Sequence, residues 1–325
     1  MIRIGLLGAA KIAPKAIIEP AAKLEDAIIV AVAARDSGRA ADFARDHGIE
    51  HVDADYDALI ARSDIDLIYN GLPPSRHADL SIAALEAGKA VLCEKPFAMN
   101  AGEAERMVRA AQVSGRPLIE AFHYRYHPAF LRALEIVRSG QLGALRSLEA
   151  AFTVEIPYRP GELRHEASLG GGALMDLGCY PLHWARTLLA GEPSGIKATA
   201  RQDRPGVDVT MTATATIGGI PVRLHTNMAP GAERAAWLKL EGEAGTLEMQ
   251  NPLAPHLGHS ITIAADTGTA TETVEGQSTY DHQLAHVIDV LSASAPMVTG
   301  GEDAIHQMQA IDAIYTAAGM SPRGL

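Results

Sequence analysis

Leu6-Leu7-Gly8-Ala9-Ala10-Lys11-Ile12-Ala13, residues 6 to 13, closes a strand-like start and stands directly ahead of a helix-like stretch. Ile2 to Leu7 is an almost continuous apolar run, as expected of a strand covered on both faces. Lys15 to Lys23 follows with amphipathic spacing. Set on the frame G-x-G-x-x-G, only the first glycine is present. Gly8 supplies the tight turn, Ala10 stands where backbone approaches a pyrophosphate, and Ala13 stands where helix packs on strand. A methyl is tolerable at the third place. At the second it pushes a phosphate outward, although the N–H groups at the helix start, around Lys11 and Ile12, still suit an anion.

Outward from this turn the pattern repeats. Ala27 to Ala33, Leu67 to Asn70, Ala90 to Cys93 and Pro117 to Glu120 are further short apolar runs. Between them Gly38 to His47, Arg76 to Ala87 and Ala101 to Ser114 have helical spacing, which together predicts βαβ units around a parallel, doubly wound sheet. From about residue 145 the texture changes. Val207 to Ile217 and Val222 to Asn227 alternate at period two, predicting antiparallel strands, with Gly218-Gly219 as the hairpin turn. Helical segments return at Gly178 to Leu189, Tyr280 to Leu291 and Gly301 to Ala317. The fold class is therefore α/β: a Rossmann-type sheet followed by an α+β part with a large, mostly antiparallel, open-faced sheet.

Composition narrows the function. The chain has 325 residues, enough for two cores, and a formal net charge of −11 that disfavours a nucleic-acid partner. No apolar run reaches the roughly 20 residues of a membrane span. Cys93 and Cys179 are the only cysteines, too few for a disulfide framework and without zinc-ligand spacing, so no metal is expected. Met1-Ile2-Arg3-Ile4-Gly5 lacks the features of a secretory signal, which predicts a cytoplasmic protein.

NAD-type domains place an acid at the end of the second strand to bind the ribose 2′-hydroxyl. Here that position is Ala34, followed by Arg35, with Arg39 one turn into the next helix. The two arginines suit a 2′-phosphate, hence NADP rather than NAD. The competing assignment leaves both arginines in solvent and makes Asp36 the acid after a small shift.

Two further motifs carry a family resemblance. Cys93-Glu94-Lys95-Pro96 closes a strand, downstream of Tyr69-Asn70-Gly71-Leu72-Pro73-Pro74-Ser75-Arg76-His77. Later come Arg164 and the run Gly170-Gly-Gly-Ala-Leu-Met-Asp176-Leu-Gly178-Cys-Tyr180. Together they resemble the glucose-fructose oxidoreductase, inositol dehydrogenase and rhizopine catabolism (Gfo/Idh/MocA) family over nearly the whole chain. The tyrosine at 180 resembles the branch of glucose-fructose oxidoreductase, dihydrodiol dehydrogenase and NADP-linked xylose dehydrogenase; other members carry histidine there. The resemblance implies a dinucleotide-binding domain over 1–122 and a substrate-binding and dimerisation domain over 123–325. It implies that Lys95 lies between nicotinamide and substrate, that Leu72, Pro73, His77 and Glu94 line the cofactor, and that Arg164 and Tyr280 lie near the same site. It also implies a homodimer, or a dimer of dimers, through the open sheet.

Residues four apart share a helix side, so Asp176 and Tyr180 converge on one reacting oxygen. Oxidising a sugar hydroxyl needs a proton acceptor within hydrogen-bond reach, and a tyrosine, titrating near 10 when unperturbed, needs a neighbouring cation to serve. Tyr180 as acid/base, Lys95 as that cation and Asp176 as orienting carboxylate is one assignment; Lys95 as the base is the other. Tyr158 and His183 are candidate substrate contacts. The substrate class expected is an aldose, polyol or dihydrodiol, the alternatives being a keto-sugar or anhydrofructose reductase, or a non-catalytic NADP-binding sensor.

Overall fold

The computed structural model describes residues 1–266 and 268–325. The chain divides into two compact units, residues 1–123 with 280–305, and residues 124–279 with 306–325.

In the first unit, strands β1 (Ile2–Leu7), β2 (Ala27–Ala33), β3 (His51–Val52), β4 (Leu67–Asn70), β5 (Ala90–Cys93) and β6 (Leu118–Glu120) form one sheet in the order β3-β2-β1-β4-β5-β6. Every pairing is parallel. The crossovers run through α1 (Glu19–Ala21), α2 (Ser37–His47), α3 (Tyr56–Ile60), α4 (His77–Glu86) and α5 (Ala101–Ser114). Asp36, Asp55 and Asn100 cap α2, α3 and α5, their side-chain oxygens each accepting a backbone N–H of the first turn. The five predicted strands and four predicted helices are present. The short α3 and the two-residue β3 have no counterpart in the sequence prediction. Ahead of α1 the backbone adopts a π-turn over Pro14–Ile18 instead of continuous α-helix.

In the second unit, α6 (Pro128–Arg138) leads to β7 (Leu145–Thr153). Then follow a π-turn over Leu174–Gly178, α7 (Cys179–Leu189), and strands β8 (Pro193–Arg204), β9 (Val207–Ile217), β10 (Ile220–Asn227), β11 (Ala235–Gly242), β12 (Gly245–Gln250), β13 (Ser260–Ala265) and β14 (Gly268–Glu272). The eight strands are ordered β14-β13-β12-β11-β7-β10-β9-β8. β10 and β7 run parallel and the other pairs antiparallel. Gly218 and Gly219 both take positive φ and join β9 to β10, the primed turn that a two-residue hairpin requires. Val209, Met211 and Ala213 are buried while Thr210, Thr212 and Thr214 between them are not, so the alternation marks a covered and an open face.

After β14 the chain continues in α8 (Thr279–Leu291) and α9 (Glu302–Ala317). The first unit thus comprises residues 1–123 together with 280–305. Leu284 and Val287 of α8 are fully buried in the same core as Ile4, Leu6 and Leu92, so this segment belongs to the first unit.

Candidate active site

The candidate site residues form two constellations, one in each unit. The first lies where the strand order reverses between β1 and β4, the point at which doubly wound sheets bind ligands. Leu7 pairs with Asn70, which sets Gly8 beside the Gly71–Leu72 loop. Gly8 has φ +94°, and a Cβ there would lie 2.7 Å from Leu72 Cδ2. A Cβ at Gly71 would lie 2.8 Å from the Tyr69 ring and 3.5 Å from Ala10 Cβ. Ala13 is fully buried in the sheet–helix core. Among the described residues, the amides of Ala9, Ala10, Lys11 and Ile12 donate to no acceptor, while Ala13 N donates to Ala10 O at 3.1 Å. This leaves a run of unbonded N–H groups at a tight turn, the chemistry that phosphate binding uses.

At the end of β2, Ala34 is buried and Arg35 is exposed. Asp36 Oδ1 accepts from Arg39 N at 2.8 Å, so this carboxylate serves the start of α2. The Arg39 guanidinium donates to Ala9 O at 2.6 Å, tying the basic helix end to the Gly8 turn.

At the end of β5, Glu94 is 9% exposed; its Oε1 accepts from Tyr69 Oη at 2.9 Å and its Oε2 from Lys95 N at 3.3 Å. Burial, reinforced by the adjacent Glu94 charge, pushes the Tyr69 phenol well above its ordinary range, so it stays a donor. Lys95 is partly exposed, and the peptide joining it to Pro96 is cis. Tyr280 at the start of α8 lies against His123 with ring centroids 4.2 Å apart, and burial raises its phenol too. His77, expected to line the cofactor, is instead fully buried. Its ring nitrogens lie 3.0 Å from Pro96 O and 2.8 Å from Leu72 O. Burial pulls this imidazole below its usual value. It therefore works as a strut between the Leu72 and Pro96 loops.

The second constellation stands on the glycine run. Gly172 N donates to Arg164 O at 2.9 Å and Gly172 O accepts from Asp176 N at 3.0 Å. One residue thus fixes the backbones of both members of an ion pair, Arg164 Nε to Asp176 Oδ2 at 2.6 Å. Arg164 also donates to Glu162 at 3.0 Å, and the Asp176 charge drives its pKa further up. Asp176 lies in the π-turn Leu174–Gly178, two residues ahead of the predicted helix start at Gly178, and Tyr180 follows in α7. π-turns of this kind concentrate at functional sites. Tyr180 is 4% exposed, its ring set among Tyr124, Phe152 and Trp184 at centroid distances of 6.1, 5.9 and 6.3 Å.

The structure brings Arg164 together with Asp176, Glu94 with the Lys95 backbone, and Arg39 with the Gly8 turn. The two candidate substrate contacts have neighbours of their own. His183 is buried with Nδ1 on Tyr124 Oη. Tyr158 is 44% exposed, with the Arg204 guanidinium 3.4 Å over its ring. Sequence reading missed Tyr69 and Tyr124, whose partners Glu94 and His183 lie 25 and 59 positions away and are found only through the fold, and Glu162, which pairs with Arg164 two positions on.

A parallel sheet in this strand order, with a glycine turn at the switch point, defines a dinucleotide-binding unit. Joined in one chain to a mostly antiparallel unit that displays a carboxylate and a phenol, it has the plan of a two-domain oxidoreductase. Residues 2–122 match the model "Oxidoreductase family, NAD-binding Rossmann fold", and residues 130–248 match the GFO/IDH/MocA C-terminal domain. The chain is 33% identical over 319 residues to a D-xylose 1-dehydrogenase (NADP(+)) of Haloferax volcanii, covering 97% of this chain and 96% of that protein. It is 32% identical to a dTDP-3,4-didehydro-2,6-dideoxy-alpha-D-glucose 3-reductase of Streptomyces antibioticus, covering 98% and 97%. Among solved structures, an aldose-aldose oxidoreductase from Caulobacter crescentus superposes with a TM-score of 0.89 at 25% identity, over 98% of this chain and 97% of that one. A 3-ketoreductase from Actinomadura kijaniata in complex with NADP and TDP-benzene does so with a TM-score of 0.89 at 28% identity, over 97% of each. The chain belongs to the GFO/IDH/MocA oxidoreductase family.

Proposed function

We propose that this chain is an NADP-dependent oxidoreductase that interconverts a CH–OH group and a carbonyl on a sugar or a related polyol or diol. The unbonded amides of residues 9–12 and the positive-φ Gly8 fit a pyrophosphate, and Arg35 with Arg39 fits a 2′-phosphate. Leu72, Pro73 and Glu94 belong to the loops beside that turn, and Lys95, Arg164 and Tyr280 are assigned to the nicotinamide end. When bound, the nicotinamide supplies the hydride acceptor or donor. Tyr180 Oη takes the hydroxyl proton in the oxidising direction and returns it to the carbonyl oxygen in the reducing one. Lys95 Nζ supplies the positive charge that favours the phenolate. Asp176, held by Arg164, accepts from a substrate hydroxyl and orients it.

The observation that carries this reading is the Arg164–Asp176 bond of 2.6 Å, one helical turn from a buried phenol; nucleotide binding alone has no use for it. The test is purified protein with NADP+ and a panel of aldoses and diols, following absorbance of the reduced cofactor. Turnover that Tyr180→Phe abolishes while NADP binding persists is the expected result. Tight NADP binding without turnover of any sugar or diol, in either direction, overturns it and leaves a sensor. Retained turnover in Tyr180→Phe, with loss in Lys95→Ala, transfers the proton to Lys95.

A second reading keeps this chemistry and changes the substrate to a nucleotide-linked keto-sugar. It is favoured by the 3-reductase relatives, and NADPH oxidation by a dTDP-keto-sugar but not by free ketoses distinguishes it. No helix among the described residues is long and apolar enough to cross a membrane. We assign the open sheet face, with Thr210, Thr212 and Thr214, to a homodimer; a monomer in light scattering at micromolar concentration refutes that.

A further inference from the structure

Behind the glycine run lies a buried ionic network that the proposed chemistry does not touch. Asp208 on β9, Tyr315 on α9 and Arg323 near the C-terminal end are 0%, 0% and 4% exposed. Asp208 Oδ1 accepts from Tyr315 Oη at 2.9 Å and from an Arg323 terminal nitrogen at 2.7 Å. The guanidinium also lies over the Tyr315 ring, 4.2 Å from its centroid.

Two further bonds aim the network at the backbone of the run. Asp208 Oδ2 accepts from Leu174 N at 2.7 Å, and Arg323 Nε donates to Gly171 O at 2.7 Å. These two atoms flank Gly172 and Ala173. Gly172 in turn holds Arg164 O and Asp176 N. A chain of four hydrogen bonds therefore runs from a buried ion pair to the ion pair of the candidate site.

Burying two charges is a poor source of stability, because desolvation offsets most of their attraction and an apolar pair of similar size often serves as well. What an apolar pair cannot do is grip one carbonyl and one N–H on either side of a glycine. We propose that Asp208 and Arg323 are positioning residues that hold the Gly170–Gly172 run so that Asp176 and Arg164 meet in their reactive geometry. This rests on the reading of Asp176 as a substrate-orienting carboxylate. Tyr315 completes the set by donating to Asp208 while its ring receives the guanidinium.

The test uses Arg323→Met, Arg323→Lys and the double variant Asp208→Leu/Arg323→Met, which removes both charges together. Expected for Arg323→Met is a fall in kcat of roughly 10- to 100-fold, the scale of a displacement near 1 Å at a reacting group, with the Kd for NADP unchanged. Arg323→Lys restores part of that loss through Asp208 alone. The double variant keeps a melting temperature close to the parent and stays slow. A double variant that is both stable and fast overturns the proposal, as does a folded Arg323→Met with parental kcat. Hydrogen exchange separates this from the reading of function. If the parent turns over no sugar, the positioning role still requires the amides of Gly172 and Asp176 to exchange at least about tenfold faster in Arg323→Met while those of β10 do not change; equal exchange refutes it.

Discussion

Gly172→Ala is the substitution with the most direct consequence. Gly172 has φ +132°, and a Cβ there would lie 2.2 Å from Asp208 Oδ1, 2.5 Å from an Arg323 terminal nitrogen and 2.8 Å from Tyr315 Oη. Occupying that conformation with a side chain costs roughly 1–3 kcal/mol. Breaking the bonds that meet at Asp208 Oδ1 adds about 1.5–3 kcal/mol for each hydrogen bond to a charged group. A total of about 5 kcal/mol is a large fraction of the roughly 5–15 kcal/mol that holds a domain together. Gly268 separates the two contributions, since its φ is also +132° and a Cβ there meets nothing within 4 Å. Gly268→Ala thus carries only the conformational cost. Trp184 and Trp237 are the only tryptophans and both lie in the second unit, so fluorescence during urea unfolding reports on it. Gly172→Ala is expected to be less stable than Gly268→Ala by about 3 kcal/mol or more, or not to fold. Midpoints within about 1 kcal/mol of each other would show that the Asp208 network gives way freely, and the reasoning fails.

Three further outcomes follow from single contacts. Burial pushes Asp208 up to about 6, against the pull of Arg323, Tyr315 and the Leu174 amide. A carboxyl whose folded pKa is raised stabilises the fold fully below its ordinary value near 4 and loses that contribution as pH rises through about 6, up to about 3 kcal/mol in all. Asp208→Asn mimics the protonated form, so the stability difference between parent and variant should change between pH 5 and pH 7, in favour of the parent at the lower pH; parallel curves count against it. Arg35→Ala should weaken NADP by roughly 10- to 100-fold and NAD hardly at all, since a charged hydrogen bond to a phosphate is worth about 1.5–3 kcal/mol; titration showing equal effects would place Arg35 elsewhere. Tyr69→Phe removes the phenol that donates to buried Glu94 and should cost about 1–3 kcal/mol in thermal unfolding, with a null effect showing that water replaces it.

Legibility in the sequence followed how locally each feature is determined. The parallel strands are readable because a strand covered on both faces must be apolar throughout, as in Ile2–Leu7 and Ala90–Cys93. β3 contributes only His51 and Val52, and no pattern exists in two residues. The return of 280–305 to the first unit depends on Leu284 and Val287 reaching a core whose other members all lie between Ile4 and Ala121, which helical periodicity does not disclose. The π-turn at Leu174–Gly178 is equally silent, because its sequence carries the same apolar spacing as an α-turn. In the site, Asp176 and Tyr180 were visible through their spacing and a family resemblance. The tie from Arg164 to Asp176 passes through Gly172, and the tie from Gly171 to Arg323 crosses 152 residues; both belong to tertiary structure alone.

The alanines of the first turn show the same distinction between letters and space. Gly8 has no substitute, because its φ is positive and Leu72 fills the place of a side chain. Ala13 has room, since the helix–strand contact that a third glycine serves is here closed by a buried methyl packed with Leu6 and Val32. Ala10 faces Gly71 across the switch point without crowding, since even a Cβ at 71 would stand 3.5 Å from its methyl, an ordinary van der Waals contact; what Gly71 avoids is the Tyr69 ring, 2.8 Å from such a Cβ. A degenerate glycine pattern remains compatible with a dinucleotide where the turn keeps its first, positive-φ glycine and leaves the amides that follow it unbonded, as at Gly8 and residues 9–12.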